Sequence, residues 1–324
     1  MPEMTYRQLG DSGLTVSTVG IGCNNMGRRL DKDATRAVVE AAIDVGINFF
    51  DTADVYGSEP GASEDLLGQA LQSGQGCRDN VVLATKFGKP MQGTTLPKHE
   101  ARGSRRYVRA SVEKSLRRLR TDYIDLYQMH EPDTRTPIEE TLDALDELVR
   151  EGKVRYIGSS QFAGWQIVDA DWTARTSGTA RFISTQSEYS LLERDIEDEI
   201  VPACEQMGVG ILPFFPLSSG LLTGKYHRDQ SPPAGSRLSE SRYAAVLANA
   251  NWDAIEGLRT FADARGITML DVAIGGLAAQ PAVASVIAGA MTPEQVRSNA
   301  RAGLWEPAAE DLVEIDEITS SGRR

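Results

Sequence analysis

VGIGC (residues 19–23), then DATRAVVEAAIDVG (33–46) running into INFFD (47–51), sets the pattern for the whole chain. The outer two segments are short, apolar and β-branched or aromatic, as buried strands are. The middle one places Val38, Ala41, Ala42 and Val45 on one helical face, and Gly46 stands where such a helix would stop. The alternation repeats. INFFD precedes SEDLLGQAL (63–71), with Ser63 read as an N-cap. VVLATK (81–86) precedes a helix over 105–118, and YIDLYQMH (123–130) one over 138–150. VRYIGSS (154–160) precedes 165–175, and FISTQSE (182–188) precedes 197–206. VGILPFF (209–215) leads into a long loop and helical stretches at 252–264 and 269–279. ASVIAG (284–289) precedes 293–301. Eight strand–helix pairs with no break in composition predict a single α/β domain over 1–324, a (β/α)8 barrel of the TIM class. The other architecture weighed is a doubly wound open sheet. It expects a third glycine in the first turn, and GIGCNNMG (20–27) does not supply it at the right offset.

Two segments fall outside the eight units. YRQLGDSGLTVS (6–17) alternates around a DSG turn and reads as a β-hairpin ahead of the barrel. The stretch 216–251 is too long for an ordinary connection. It follows the C-terminal end of the seventh strand, the face on which barrel sites are built.

The balance of 34 Lys+Arg against 46 Asp+Glu leaves a formal charge of −12 over 324 residues, which disfavours nucleic acid and anionic membrane surfaces as partners. The basic run EKSLRRLRTD (113–122) is read as a solvated helix face. Cys23, Cys77 and Cys204 are scattered, with no metal-ligand or redox spacing. MPEMTYRQLG (1–10) holds no signal-type apolar run, and the most apolar stretch, 208–222, is interrupted by Pro213 and Pro216. A cytoplasmic protein with reduced thiols is expected, its oligomeric state open.

Strand ends are where barrel chemistry is expected, and four groups converge there. Asp51 ends the second strand with Tyr56 just beyond it, Lys86 ends the third, and His130 the fourth. Singly, these read as a loop-bracing carboxylate, a packed aromatic, a paired lysine and a structural histidine. Together they fit reduction of a carbonyl. A phenol with a pKa of about 10 is a poor acid until a buried ammonium lowers it. Lys86 can do this for Tyr56, Asp51 can hold Lys86, and His130 can orient a carbonyl oxygen. No side chain donates a hydride, so a cofactor is required.

DTADVYG (51–57), ATKFG (84–88) and YQMHEPD (127–133) resemble the three catalytic blocks of the aldo-keto reductase superfamily. IGSSQF (157–162), QSEYSLLER (186–194), PFFPLSSGLLTGKY (213–226) and IAGAMTPEQVRSN (287–299) extend the resemblance from Tyr6 to Asn299. It implies an NADPH-dependent enzyme, NADH being possible, that reduces a small-molecule aldehyde or ketone with Asp51, Tyr56, Lys86 and His130 as its tetrad. The long loop would then cover the cofactor. By position, Ser160, Gln161 and Gln186 would hold the nicotinamide carboxamide, Gln161 replacing a more usual Asn. Phe214 would stack on the ring, and Phe215 stands where Ser is common. Leu217, Ser219 and Gly220 would wrap the pyrophosphate, and Lys225 and Arg237 would reach the phosphate end. Gly289, Met291, Gln295 and Asn299 would surround the adenosine, and Cys23 and Asn24 would touch ribose or substrate. Met291 stands where many relatives carry a polar or basic residue. Met26 and Phe87 are placed by position beside the substrate. The resemblance leaves open an oxidative alcohol or sugar dehydrogenase, and a cofactor-binding regulatory protein of the potassium channel β-subunit type. That group typically carries Asn at the position of His130.

Overall fold

The computed structural model describes residues 3–73, 78–90 and 100–320; Cys77 lies outside them. An antiparallel hairpin of β1 (Tyr6–Gln8) and β2 (Thr15–Ser17) comes first. There follow β3 (Val19–Gly22), α1 (Lys32–Asp44), β4 (Phe49–Asp51), α2 (Ala62–Ser73), β5 (Val82–Phe87), α3 (Arg105–Leu119), β6 (Ile124–Met129) and α4 (Ile138–Arg150). Next come β7 (Val154–Ser160), α5 (Gly164–Ser177), β8 (Phe182–Glu188), α6 (Ile200–Met207) and β9 (Gly210–Phe214). A long segment of 3-10 turns and the short α7 (Ala244–Ala248) leads to α8 (Trp252–Arg265), α9 (Met269–Ala278), β10 (Val286–Gly289), α10 (Pro293–Ala302) and α11 (Ala309–Ser320).

Eight strands pair in parallel in the order β10-β3-β4-β5-β6-β7-β8-β9. The last seam is joined beside β10, where Ile211 N donates to Ala282 O at 2.7 Å and Ala284 N to Ile211 O at 3.0 Å. This is the (β/α)8 barrel expected from the sequence, with its hairpin.

Local chemistry sets the element ends. Asp31 caps α1 by accepting from Ala34 N, and Gly46, at φ +85°, turns the chain out of it. Thr292 caps α10, with Pro293 in its first turn. Ser63 is not the cap expected of it. It lies inside α2, fully buried, and its hydroxyl donates to Cys23 O at 2.8 Å and pairs with Thr52 Oγ1 at 2.8 Å. The run 113–122 is only partly a solvated face: Arg118 reaches inward to the buried Glu64, 2.5 Å away. Helix α11 has no counterpart in the sequence reading. Its buried residues are Ile315 and Thr319, too thin a stripe to register as periodicity, and Arg265 of α8 holds it through Asp311 and Glu314 at 2.7 Å each.

Alternation along each strand divides the core in two. One parity faces the barrel axis: Phe49, Val82, Ala84, Leu126, Leu212 and Ile287 pack with Leu9 and Val16 of the hairpin region. These apolar residues fill the floor. The opposite parity, including Ile21, Phe50, Leu83, Phe87, Tyr127, Met129 and Ile157, packs in the larger core with the helices. Continuing the inward parity toward the strand ends brings Asp51, Lys86, Gln128, His130, Gln186 and Phe214 above the floor. Among the described residues, no helix is long and apolar enough to cross a membrane.

Candidate active site

Directly above the floor, polar side chains bind one another. Lys86 Nζ donates to Asp51 Oδ2 at 2.6 Å and to Thr52 O at 2.9 Å. The other carboxylate oxygen, Asp51 Oδ1, accepts from Gln128 Nε2 at 3.1 Å and Gln186 Nε2 at 3.0 Å. Register explains the convergence: Lys86 pairs with Gln128 across β5 and β6, and Gln128 with Gly158 across β6 and β7. A side chain at position 158 would collide with Ser184 Oγ and approach Gln128 Cγ to 3.2 Å, so glycine there leaves Gln128 its room.

Tyr56, in the loop after β4, lies over this layer. Lys86 Nζ is 5.0 Å from its ring centroid, and the His130 ring meets it edge-on at 5.7 Å and 82°. Burial disfavours the ammonium of Lys86, but Asp51 and Tyr56 outweigh it and raise its pKa, so the lysine is a firm cation. Burial pushes the Tyr56 phenol above its ordinary value, while Lys86 and its hydrogen bond pull the other way. The sequence expectation of a net downward shift is therefore corrected: Lys86 acts in the expected direction, and desolvation exceeds it. His130 is pushed down to about 2 by burial and then by the charges of Lys86 and Lys89, so its imidazole is neutral. Its Nδ1 is buried with no hydrogen-bond partner among the described residues.

A cavity of about 830 Å³ opens over these groups. Asp51, Tyr56, His130, Asn24, Ser160, Gln161, Gln186, Phe214 and Phe215 contribute to its wall. So do Leu217, Ser219, Gly220, Lys225, Arg237, Gly289, Met291, Gln295 and Asn299. Lys86 sits beneath the wall, sealed from solvent. Three expected neighbours lie elsewhere. Cys23 and Phe87 carry the outward parity of β3 and β5. The Cys23 thiol faces Ile21 O at 3.6 Å, and burial raises its pKa. Phe87 stacks on Tyr127 at 4.7 Å, and Met26 packs into the same outer core.

Several lining or positioning residues escaped the sequence reading. Gln128 had a signal, since it stands two residues before His130 on the same strand face. Val55, Lys89 and Glu188 flank predicted residues and line the cavity. Arg29 had no local signal, because it acts through an ion pair with Glu240 at 2.7 Å, from the far side of the long loop.

The wall suits a dinucleotide phosphate by three observations. Neither Lys225 nor Arg237 has a carboxylate within 4 Å among the described residues, leaving two uncompensated cations on a chain of net charge −12. A Cβ added at Gly289 would meet nothing nearer than Asn25 Nδ2 at 3.8 Å, so the glycine keeps open space that a side chain would fill. Ser218, Ser219 and Gly220 all take left-handed backbone (φ +45°, +58° and +102°), bending the loop tightly along the cavity.

Comparison with known proteins agrees with this geometry. The sequence profile of the Aldo/keto reductase family matches residues 18–320. The chain is 37% identical over 302 residues to an uncharacterized oxidoreductase, YrpG, of Bacillus subtilis, covering 92% of this chain and 91% of that one. It is 36% identical over 319 residues to a probable aldo-keto reductase 1 of Glycine max, covering 97% and 89%. It is 34% identical over 305 residues to a probable voltage-gated potassium channel subunit beta of Arabidopsis thaliana, covering 92% and 91%. With eight parallel strands, a polar layer at their ends and a match over most of its length, this chain belongs to the aldo/keto reductase family of NAD(P)H-dependent oxidoreductases.

Proposed function

We propose that the chain, acting as one barrel domain over 1–324, reduces aldehydes or ketones to alcohols with NADPH as the preferred reductant. When bound, the reduced nicotinamide supplies hydride to the carbonyl carbon, and the oxygen must then gain a proton. Tyr56 is assigned as the donor. Burial keeps the phenol protonated at neutral pH, and Lys86, held cationic by Asp51, stabilises the phenolate left after transfer. The neutral His130 faces Tyr56 edge-on and would hydrogen-bond the carbonyl oxygen.

The same hydrogen bonds support a carboxamide pocket. The amide nitrogen of Gln161 is committed to His130 O at 3.0 Å, and that of Gln186 to Asp51. Each keeps a carbonyl oxygen to accept from a carboxamide NH2. Phe214, edge-to-face on Phe215 at 5.3 Å, offers an aromatic face beside them. Lys225 and Arg237 would meet the phosphates, and Arg237 is assigned to the 2′-phosphate. Gly289, Met291, Gln295 and Asn299 would surround the adenosine.

The observation that carries the reading is the Asp51–Lys86–Tyr56–His130 cluster under a cavity whose wall also holds Lys225 and Arg237, neither with a carboxylate within 4 Å among the described residues. The test is oxidation of NADPH by purified protein with 4-nitrobenzaldehyde. Turnover in wild type and its loss in Tyr56→Phe, with cofactor binding retained, is the expected result. A regulatory role, suggested by the channel-subunit names of some relatives, would give cofactor binding with no turnover.

A further inference from the structure

Lys89 is a cavity-lining cation that neither the barrel scaffold nor the proposed proton donation uses. It follows Lys86 by three residues, beyond the end of β5, is half-buried, and shares the wall with Tyr56, His130 and Val55. Its charge acts on His130 alongside that of Lys86, so it stands near the assigned carbonyl-binding group. Among the described residues no carboxylate lies within 4 Å of it. The acid whose charge acts on it, Glu131, is turned to Arg102 at 3.6 Å. Burial and the repulsion of Lys86 both lower the pKa of Lys89. A half-buried ammonium in that setting gains from any anion that reaches it.

From this placement we propose that Lys89 selects substrates that carry an anionic group, a carboxylate above all, beside the carbonyl that is reduced. The inference rests on the reductase reading and specifies its substrate class. The reaction itself is unchanged. The aldehyde carbon gains hydride from NADPH, its oxygen gains a proton from Tyr56, and NADP+ and a primary alcohol result, with the carboxylate untouched. An overall charge of −12 repels such a substrate, so a local cation is needed to admit it.

The test compares 3- and 4-carboxybenzaldehyde with their methyl esters. The ester is the more electron-withdrawing substituent and gives the more reactive carbonyl in solution, so a preference for the carboxylate would come from the protein. Wild type is expected to favour at least one carboxylate isomer over its ester by about tenfold in kcat/KM, the scale of one charged hydrogen bond. Lys89→Met should abolish that ratio, and Lys89→Arg should keep most of it. As a readout apart from turnover, titration of the protein and NADP+ with 4-(hydroxymethyl)benzoate should show a weaker Kd in Lys89→Met than in wild type. Equal carboxylate-to-ester ratios in wild type and Lys89→Met, or a wild-type preference for both esters, would overturn the proposal while leaving the reductase reading intact. No reduction of any of these aldehydes with NADPH or NADH would overturn both.

Discussion

Lys86 Nζ and Asp51 Oδ2 stand 2.6 Å apart with both side chains buried, an ion pair at the ends of adjacent strands. Each ion would be costly alone. Thr52 O supplements the lysine, and Gln128 and Gln186 supplement the carboxylate, so the pair is held in one geometry.

Breaking that pair should cost stability. Asp51→Ala leaves an ammonium unpaired in the core, and a loss of about 3–5 kcal/mol is expected. Asp51→Asn, combined with Lys86→Met, removes both charges and should lose less than the sum of the two single changes. Urea denaturation of the four proteins measures the coupling, and strict additivity would argue against an energetically coupled pair.

Proton donation should fail before binding does. Tyr56→Phe is expected to lower kcat by about a hundred- to ten-thousandfold, the range of general acid catalysis, with the NADPH Kd little changed. Because burial raises the phenol above its ordinary value, the alkaline limb of kcat/KM for reduction should lie above the normal tyrosine range. A variant that keeps wild-type rates would remove Tyr56 from the donor role.

Cofactor preference should follow Lys225 and Arg237. Arg237→Ala is expected to reduce the NADPH-to-NADH ratio of kcat/KM by about tenfold, whereas Lys225→Ala should weaken both cofactors. Fluorescence titrations with each cofactor provide the check. An unchanged preference in Arg237→Ala would withdraw the 2′-phosphate from that residue.

Acid sensitivity should carry a signature of His130. Its pKa is about 2 when folded, against about 6.5 in an unfolded chain. Below the unfolded value the unfolded chain takes a proton that the native state refuses. The stability contributed by the neutral imidazole is complete above that pH and is lost as pH falls toward the folded value. The slope is about 1.4 kcal/mol per pH unit. His130→Asn is therefore expected to flatten the fall in stability between about pH 6 and pH 4. Denaturation midpoints across that window measure it, and parallel slopes in the two proteins would contradict the burial of a neutral histidine.

Much of this was legible along the chain. Strand–helix alternation repeats locally, because each βα unit writes its own periodicities of two and 3.6, and so the barrel could be counted from segments such as VGIGC and INFFD. That Asp51, Lys86 and His130 come together could be read because strand ends are local features, and Tyr56 lies within one loop of them. What lay beyond reach depends on direction and distance. Cys23 and Phe87 neighbour cavity residues in sequence yet face outward, since a shift of one residue along a strand reverses its side chain. The Arg29–Glu240 pair joins residues far apart in the chain, and the reach of Arg118 into Glu64 narrowed the reading of a basic helix face as mere solvated charge. The sign of the Tyr56 shift was likewise a tertiary matter. Sequence named the charges around the phenol, but only packing decided that desolvation exceeds the pull of Lys86. Residue types and their periods thus determined the barrel and its chemistry. The tertiary structure decided which side chains share a cavity and what their protons cost, because burial and electrostatic coupling depend on distances that one-dimensional order does not contain.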